Sequence, residues 1–210
     1  MRGRGRSGSV GYARAALCAA AAWMVVAGAA AAQTRPVNLR GDVTAVDGDA
    51  VTLAARSGKT YRLMLDAKTN VGTLMAAKLS DVKEGDFIGT AAVPRDDGKL
   101  VAQEVLIFPK GVRPGEGHRP WDLTTNSTMT NADVAGMVSS SGGNELMLKY
   151  KGGEKTVVVP PGTPVVRPGK PDRAALKPGA HAFVVAAPLP DGSYKVVRIS
   201  IGLDGLVPPM

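Results

Sequence analysis

Five side chains able to ligate, pair or exchange protons fall within seven positions: Glu116, His118, Arg119, Trp121 and Asp122. An imidazole between two carboxylates is a nitrogen-and-oxygen donor set that suits Zn²⁺, Ni²⁺ or Cu²⁺. In that reading His118, Glu116 and Asp122 are the metal ligands, and the fold can bring His181 to them. A structural zinc site closes on four ligands rich in Cys and His, and this stretch offers one His. The same residues also serve an architectural role. Trp121 then packs into a groove between domains, and Arg119 pairs with Asp122 or a neighbouring carboxylate. Either way, 116–122 is the expected ligand or interdomain contact.

The other candidates have simpler explanations. His181 opens a strand and has no Ser or Cys partner near it in sequence, so it reads as a half-buried strand residue. Ser57-Gly58-Lys59-Thr60 ends like a phosphate-binding loop, but the glycine required five residues earlier is Leu53, and the stretch lies between two strands. Asp47-Gly48-Asp49 lacks the later carboxylates of a calcium loop and reads as a hairpin turn. Arg56, Lys59, Arg62, Lys149, Lys151 and Lys155 sit on equivalent hairpins, with Tyr61 and Tyr150 nearby. A basic face with aromatics can bind single-stranded nucleic acid. In an exported protein, an anionic polymer of the cell envelope is the better match, and a solvated charged face explains the same residues. Asn126-Ser127-Thr128 is a glycosylation sequon with no further support.

These residues must be positioned by a chain that repeats itself. Leu53, Gly58 and Val71 recur 95 positions later as Leu148, Gly153 and Val166, and Gly85 and Gly98 recur 94 positions later as Gly179 and Gly192. Apolar and polar residues alternate with period two along most of both copies, which marks half-buried strands. Turns such as Ser57-Gly58-Lys59 separate them, because glycine tolerates the positive φ of tight hairpins. Residues 73–79, rich in Ala, Met and Leu, read as a short helical turn, with a less helical counterpart at 167–175.

About five strands per copy predict an all-β protein of two tandem five-stranded Greek-key barrels, similar to oligonucleotide/oligosaccharide-binding folds. Small β-sandwiches are the alternative. The expected division is a signal peptide at 1–32, a first barrel at 33–108, a Pro/Gly-rich linker at 109–132 and a second barrel at 133–210.

The N-terminus carries Arg2, Arg4, Arg6 and Arg14, then an Ala-rich apolar run ending Ala30-Ala31-Ala32. That is the pattern of a cleaved secretory signal, and no adjacent arginine pair points to the twin-arginine route. A run of mostly alanine is a weak membrane anchor, so no integral span is expected after cleavage near Ala32. Cleavage removes Cys18, the one cysteine of the sequence, and with it any disulfide or thiolate chemistry. It also removes four arginines and no acid, taking the net charge from +8 to +4, a mild excess that fits solubility or attraction to anionic surfaces.

The turns and strand starts resemble a family of exported bacterial domains whose function is not established. The resemblance is carried by 41–46 (Gly-Asp-Val-Thr-Ala-Val), 79–86 (Leu-Ser-Asp-Val-Lys-Glu-Gly-Asp) and Asp97-Gly98. In the second copy Gly136-Met137-Val138, 176–179 and Asp191-Gly192 carry it. The stretch 116–123 resembles a signature of a subset with two barrels. The resemblance implies small β-barrels in tandem and export to the periplasm, and it supplies no reaction.

A non-enzymatic periplasmic binding or scaffolding protein is therefore expected, contacting an unknown protein or anionic polymer of the cell envelope at the interdomain groove. A metal-binding protein using Glu116, His118 and Asp122 is the alternative. A hydrolase has the least support, since no nucleophile or carboxylate pair is apparent.

Overall fold

The computed structural model of the chain describes residues 35–140 and 142–210; the segment read as a signal peptide lies outside the described residues. In chain order the strands are β1 (Val37–Asp47), β2 (Ala50–Ala55), β3 (Thr60–Met64), β4 (Val71–Ala77), β5 (Phe87–Pro94), β6 (Leu100–Ala102), β7 (Val105–Ile107) and β8 (Gly117–Pro120). They continue with β9 (Thr128–Ser140), β10 (Gly143–Tyr150), β11 (Gly153–Val159), β12 (Val165–Pro168), β13 (His181–Pro188) and β14 (Tyr194–Gly202). Period-two patterning sets the faces. Leu39 and Val43 of β1 are buried while Asp42 and Thr44 between and beside them are exposed, and Leu146 and Leu148 of β10 flank an exposed Met147.

The strands close into two five-strand rings, but neither ring is made from one stretch of chain. In the first, β1 pairs with β2 and β2 with β3, as the hairpin turns dictate. The next neighbour of β3 is β14, in parallel, and β13 then pairs with both β14 and β1 to close the ring. The second ring has the same plan. β9, β10 and β11 follow one another, β11 runs parallel to β6, and β5 joins β6 back to β9. Each half of the chain therefore supplies three consecutive strands to one ring and the two closing strands to the other. The division into a self-contained barrel at 33–108 and another at 133–210 is corrected accordingly: residues 34–210 form one compact unit.

The two cores follow this exchange. Leu39, Leu53 and Leu63 pack with Val184, Ile199 and Ile201 in one, and Leu146, Leu148 and Val157 pack with Ile88, Leu100 and Val105 in the other. Full burial of each such side chain stabilises by about 1.5–3 kcal/mol.

The lysine-and-glycine turns that start the closing strands hold them to the other half. Gly85 donates its N–H to the Val134 carbonyl at 2.8 Å, and Gly179 donates to the Val43 carbonyl at 2.8 Å. The return bonds run from Val134 N–H to Asp86 and from Val43 N–H to Ala180, each at 2.9 Å. Both glycines need the left-handed region to aim the N–H this way, with φ of +86° and +84°. Beside each contact the opening strand carries a bulge, at Thr44 in β1 and Ala135 in β9, which adds local twist for ring closure.

Between the rings, β4 lies parallel to β14 and antiparallel to β12, while β12 lies parallel to β7, which pairs with β5. This bridge corrects the helical reading of 73–79. The residues are helix formers, but hydrogen-bonding neighbours on both sides of β4 outweigh a propensity of tenths of a kcal/mol per residue. Only the 3₁₀ turn Leu79–Asp81 remains, and its counterpart stretch forms β12 and the 3₁₀ turn Arg173–Ala175. The linker is also shorter than expected. β8 forms within it as a short edge strand on β9, and β9 itself begins at Thr128.

Two outcomes follow from the exchange. Cutting the chain at a protease site engineered into the 109–116 loop leaves two fragments that co-elute on size-exclusion until denatured, since each ring needs both; early separation would contradict the interleaved pairing. Gly85→Ala and Gly179→Ala, whose added Cβ meets nothing within 4 Å, cost only left-handed backbone strain. Each lowers unfolding free energy by roughly 1–2 kcal/mol in urea titrations, additively in the double variant.

Candidate functional site

Where the rings meet, Leu74, Leu106, Val166, Phe183 and Met210 form a third buried cluster, with Phe108 and Trp121 packed on it. The two sides of this junction share a backbone plan and differ in filling. The third residue of β13 is Phe183, opposite Arg40 of β1; the third residue of β5 is Gly89, opposite Asn131 of β9. Phe183 is fully buried, with the Arg40 and Arg198 guanidinium carbons 5.3 and 5.6 Å from its ring centroid. At Gly89 an added Cβ would sit 2.8 Å from Asn131 Oδ1 and 3.2 Å from the Phe108 ring. Beside these contacts lies a cavity of about 110 Å³, walled by Gly89, Leu106, Phe108, Trp121, Met129 and Met210.

The polar atoms of this cavity are unusual. Among the described residues, every buried side-chain nitrogen or oxygen lacking a hydrogen-bond partner belongs to its lining: both carboxyl oxygens of Glu104, Nε1 of Trp121 and Oδ1 of Asn131. Leaving one such group unpaired costs about 1–3 kcal/mol. Glu104 is 0% exposed. It arrives there through a bulge between β6 and β7, where the Ala91 carbonyl accepts from the N–H groups of both Gln103 and Glu104. The buried Thr90 hydroxyl donates to the Glu104 carbonyl at 2.6 Å and fixes the bulge. Burial pushes the Glu104 carboxyl up to about 8, against the opposing pull of the Arg40 charge, so it is neutral at pH 7. Asn131 is oriented by its amide, which donates to the Pro114 carbonyl at 2.8 Å, and this leaves its oxygen toward Gly89.

Two cations also line the cavity. Arg119 donates to the Gly115 carbonyl at 2.8 Å and lies 5.9 Å from the Trp121 ring centroid. Arg198 is exposed as a residue, yet desolvation of its guanidinium first, and then the neighbouring Arg119 charge, hold it below its ordinary value. Among the described residues neither has a carboxylate partner. The lining thus presents unpartnered oxygens, one indole donor and two guanidinium groups that no carboxylate neutralises.

Of the residues singled out in the sequence, Arg119 and Trp121 line this cavity and the others do not. Glu116 accepts from Arg113 at 3.3 Å and from the Lys151 N–H at 2.9 Å. His118 Nδ1 lies 2.8 Å from the Thr130 hydroxyl, and desolvation followed by the Lys155 charge holds its imidazole below the ordinary value. Asp122 does not pair with Arg119. It accepts from Arg40 at 2.8 Å and Asn38 at 3.1 Å; burial works to raise its carboxyl, and these bonds outweigh burial and hold it low. The three expected metal ligands thus have three separate sets of partners, and among the described residues no three His, Cys, Asp or Glu side chains form a metal-holding group. His181 is in the other ring, with Nδ1 2.5 Å from Asp42. Tyr61 and Tyr150 pack against the ring cores and do not form an open stacking face.

Glu104, Asn131, Arg198 and Gly89 were missed in the sequence. The available sign was a carboxylate inside the apolar run 100–108, at the place where the second copy has Arg198. Among the described residues no helix is long and apolar enough to cross a membrane.

No protein-family description, curated protein or solved structure matches the chain. The likeness to exported tandem domains therefore rests on the turn and strand residues that suggested it. The fold itself, all-β with five-strand rings, is what the structure shows.

A carboxyl raised from 4.5 to about 8 on folding keeps a proton that the unfolded chain loses. Stability is therefore full below pH 4.5, falls as pH rises through that window and levels off above it. The loss amounts to roughly 4–5 kcal/mol. Urea titrations at pH 5 and pH 8.5, comparing wild type with Glu104→Gln, read it directly: the isosteric variant gains on wild type at the higher pH. A difference that does not change with pH would show that Glu104 is not buried.

Proposed function

We propose that this protein is an exported, non-enzymatic binding protein that receives a small ligand in the junction cavity, with the 114–121 segment as one wall. The observation that carries this reading is the concentration of all four orphaned buried polar atoms of the described residues in one cavity, beside two arginines that have no carboxylate partner. A folded chain tolerates such costs where another molecule supplies the missing partners. The lining holds no Ser, Thr, Cys, Lys or His, so it offers no nucleophile with a base beside it, which favours binding over turnover. Export is supported by the basic, Ala-rich N-terminus.

A thermal-shift panel of small amines, carboxylates, amino acids and sugar acids tests it, with wild type compared to Gly89→Ala, whose methyl presses on Asn131 Oδ1 and the Phe108 ring in the cavity wall and displaces them. A cavity ligand at one hundred times its Kd stabilises wild type by about 2.7 kcal/mol. The variant loses that shift while keeping a cooperative unliganded melt. Equal shifts in both proteins, or none across the panel, would overturn the reading.

A further inference from the structure

The polar groups of the cavity are of two kinds. One kind is the three unpartnered oxygens, Glu104 Oε1 and Oε2 and Asn131 Oδ1, all of them acceptors once Glu104 gives up its proton. The donors of the lining are the unpartnered Trp121 indole N–H and the guanidinium groups of Arg198 and of Arg119, one nitrogen of which already donates to the Gly115 carbonyl. An ammonium group carries three N–H donors and no acceptor, which matches the first set. A carboxylate is acceptor-only and takes planar guanidinium groups in bidentate fashion, which matches the second. A ligand with only one of these groups leaves the other set unsatisfied.

We infer that the cavity receives a small zwitterion, a primary ammonium joined to a carboxylate by a short chain, with the ammonium on Glu104 and Asn131 and the carboxylate on Trp121, Arg119 and Arg198. The inference rests on the reading of this cavity as a ligand site. The size agrees. A cavity of 150 Å³ holds benzene, so the 110 Å³ here encloses about four to six non-hydrogen atoms, the scale of glycine or β-alanine. The charges agree as well. A lone buried carboxylate is costly, and pairing it with an ammonium restores its ionised form. The ligand's ammonium takes the place of the proton on Glu104, and that proton passes to solvent.

The charged groups around Glu104 are Arg40 from β1, Arg119 from β8 and Arg198 from β14. His118, also on β8, bonds to Thr130 instead. Glu104 is therefore the lining group that titrates.

Calorimetric titration of the full chain at pH 6.5 in two buffers of different ionisation enthalpy tests the inference, with glycine, β-alanine, methylammonium and acetate as probes. At least one zwitterion binds tenfold or more tighter than methylammonium or acetate, with release of close to one proton per ligand. Glu104→Gln abolishes the proton release and the preference for the amine. Trp121→Phe, which keeps an aromatic wall but loses the indole N–H, weakens the zwitterion and leaves methylammonium unchanged. Acetate binding as tightly as the zwitterions, unaffected by Glu104→Gln, would overturn the zwitterion and leave a simple anion site. No binding of any probe would also overturn it; a panel compound whose shift is lost in Gly89→Ala would then keep the cavity as a ligand site, and the absence of one would end both readings.

Discussion

The pairing of β3 with β14 and of β11 with β6 governs everything else in this molecule. Each is a parallel contact between strands far apart in sequence, and each must form before a ring can close. A hairpin satisfies itself locally, but three strands alone leave two open edges and a half-covered apolar face. The closing pair comes from the other half of the chain, so neither ring is complete until both halves are in place. The bridge of β4 and β12 exists because the chain crosses from one ring to the other at these two points.

The exchange also creates the junction, and the junction is where the two halves stop being alike. Phe183 and Gly89 occupy the same position in their strands, as do Arg198 and Glu104 beside the two bulges. On one side an aromatic ring fills the space and two guanidinium groups stack on it. On the other side glycine lets Asn131 and the Phe108 ring come close, and a carboxyl, an indole N–H and an amide oxygen line the cavity beside them without partners. A shared backbone with opposite filling separates a structural role from a recognition role. The filled side adds stability; the hollow side gives stability up, and the chemistry of its walls defines what can restore it.

The 116–122 segment acquires its meaning from this placement. Its alternating residues face different ways on a short edge strand, so His118 turns to Thr130 while Arg119 turns to the cavity mouth. Side chains close in sequence are thereby sent to separate partners. Sequence proximity suggested a metal cluster; strand geometry, with its period of two, works against one.

The strands, their faces, the hairpins and the five-strand plan were legible in the sequence, because period-two burial and glycine turns are local physics. Leu53, Leu63, Leu146 and Leu148 are core residues on the pattern alone. Which strands close which ring was not legible. Both halves carry the same apolar pattern, so closure within a half and closure by exchange bury nearly equivalent side chains, and no local preference distinguishes them. The helix expected at 73–79 failed for a related reason: strand neighbours from the other half overrode propensity. The cavity was hidden for the same cause. Glu104 and Asn131 are 27 positions apart, and Arg198 is 94 positions beyond Glu104. Only the crossing of the chain brings their unpaired atoms around a single space.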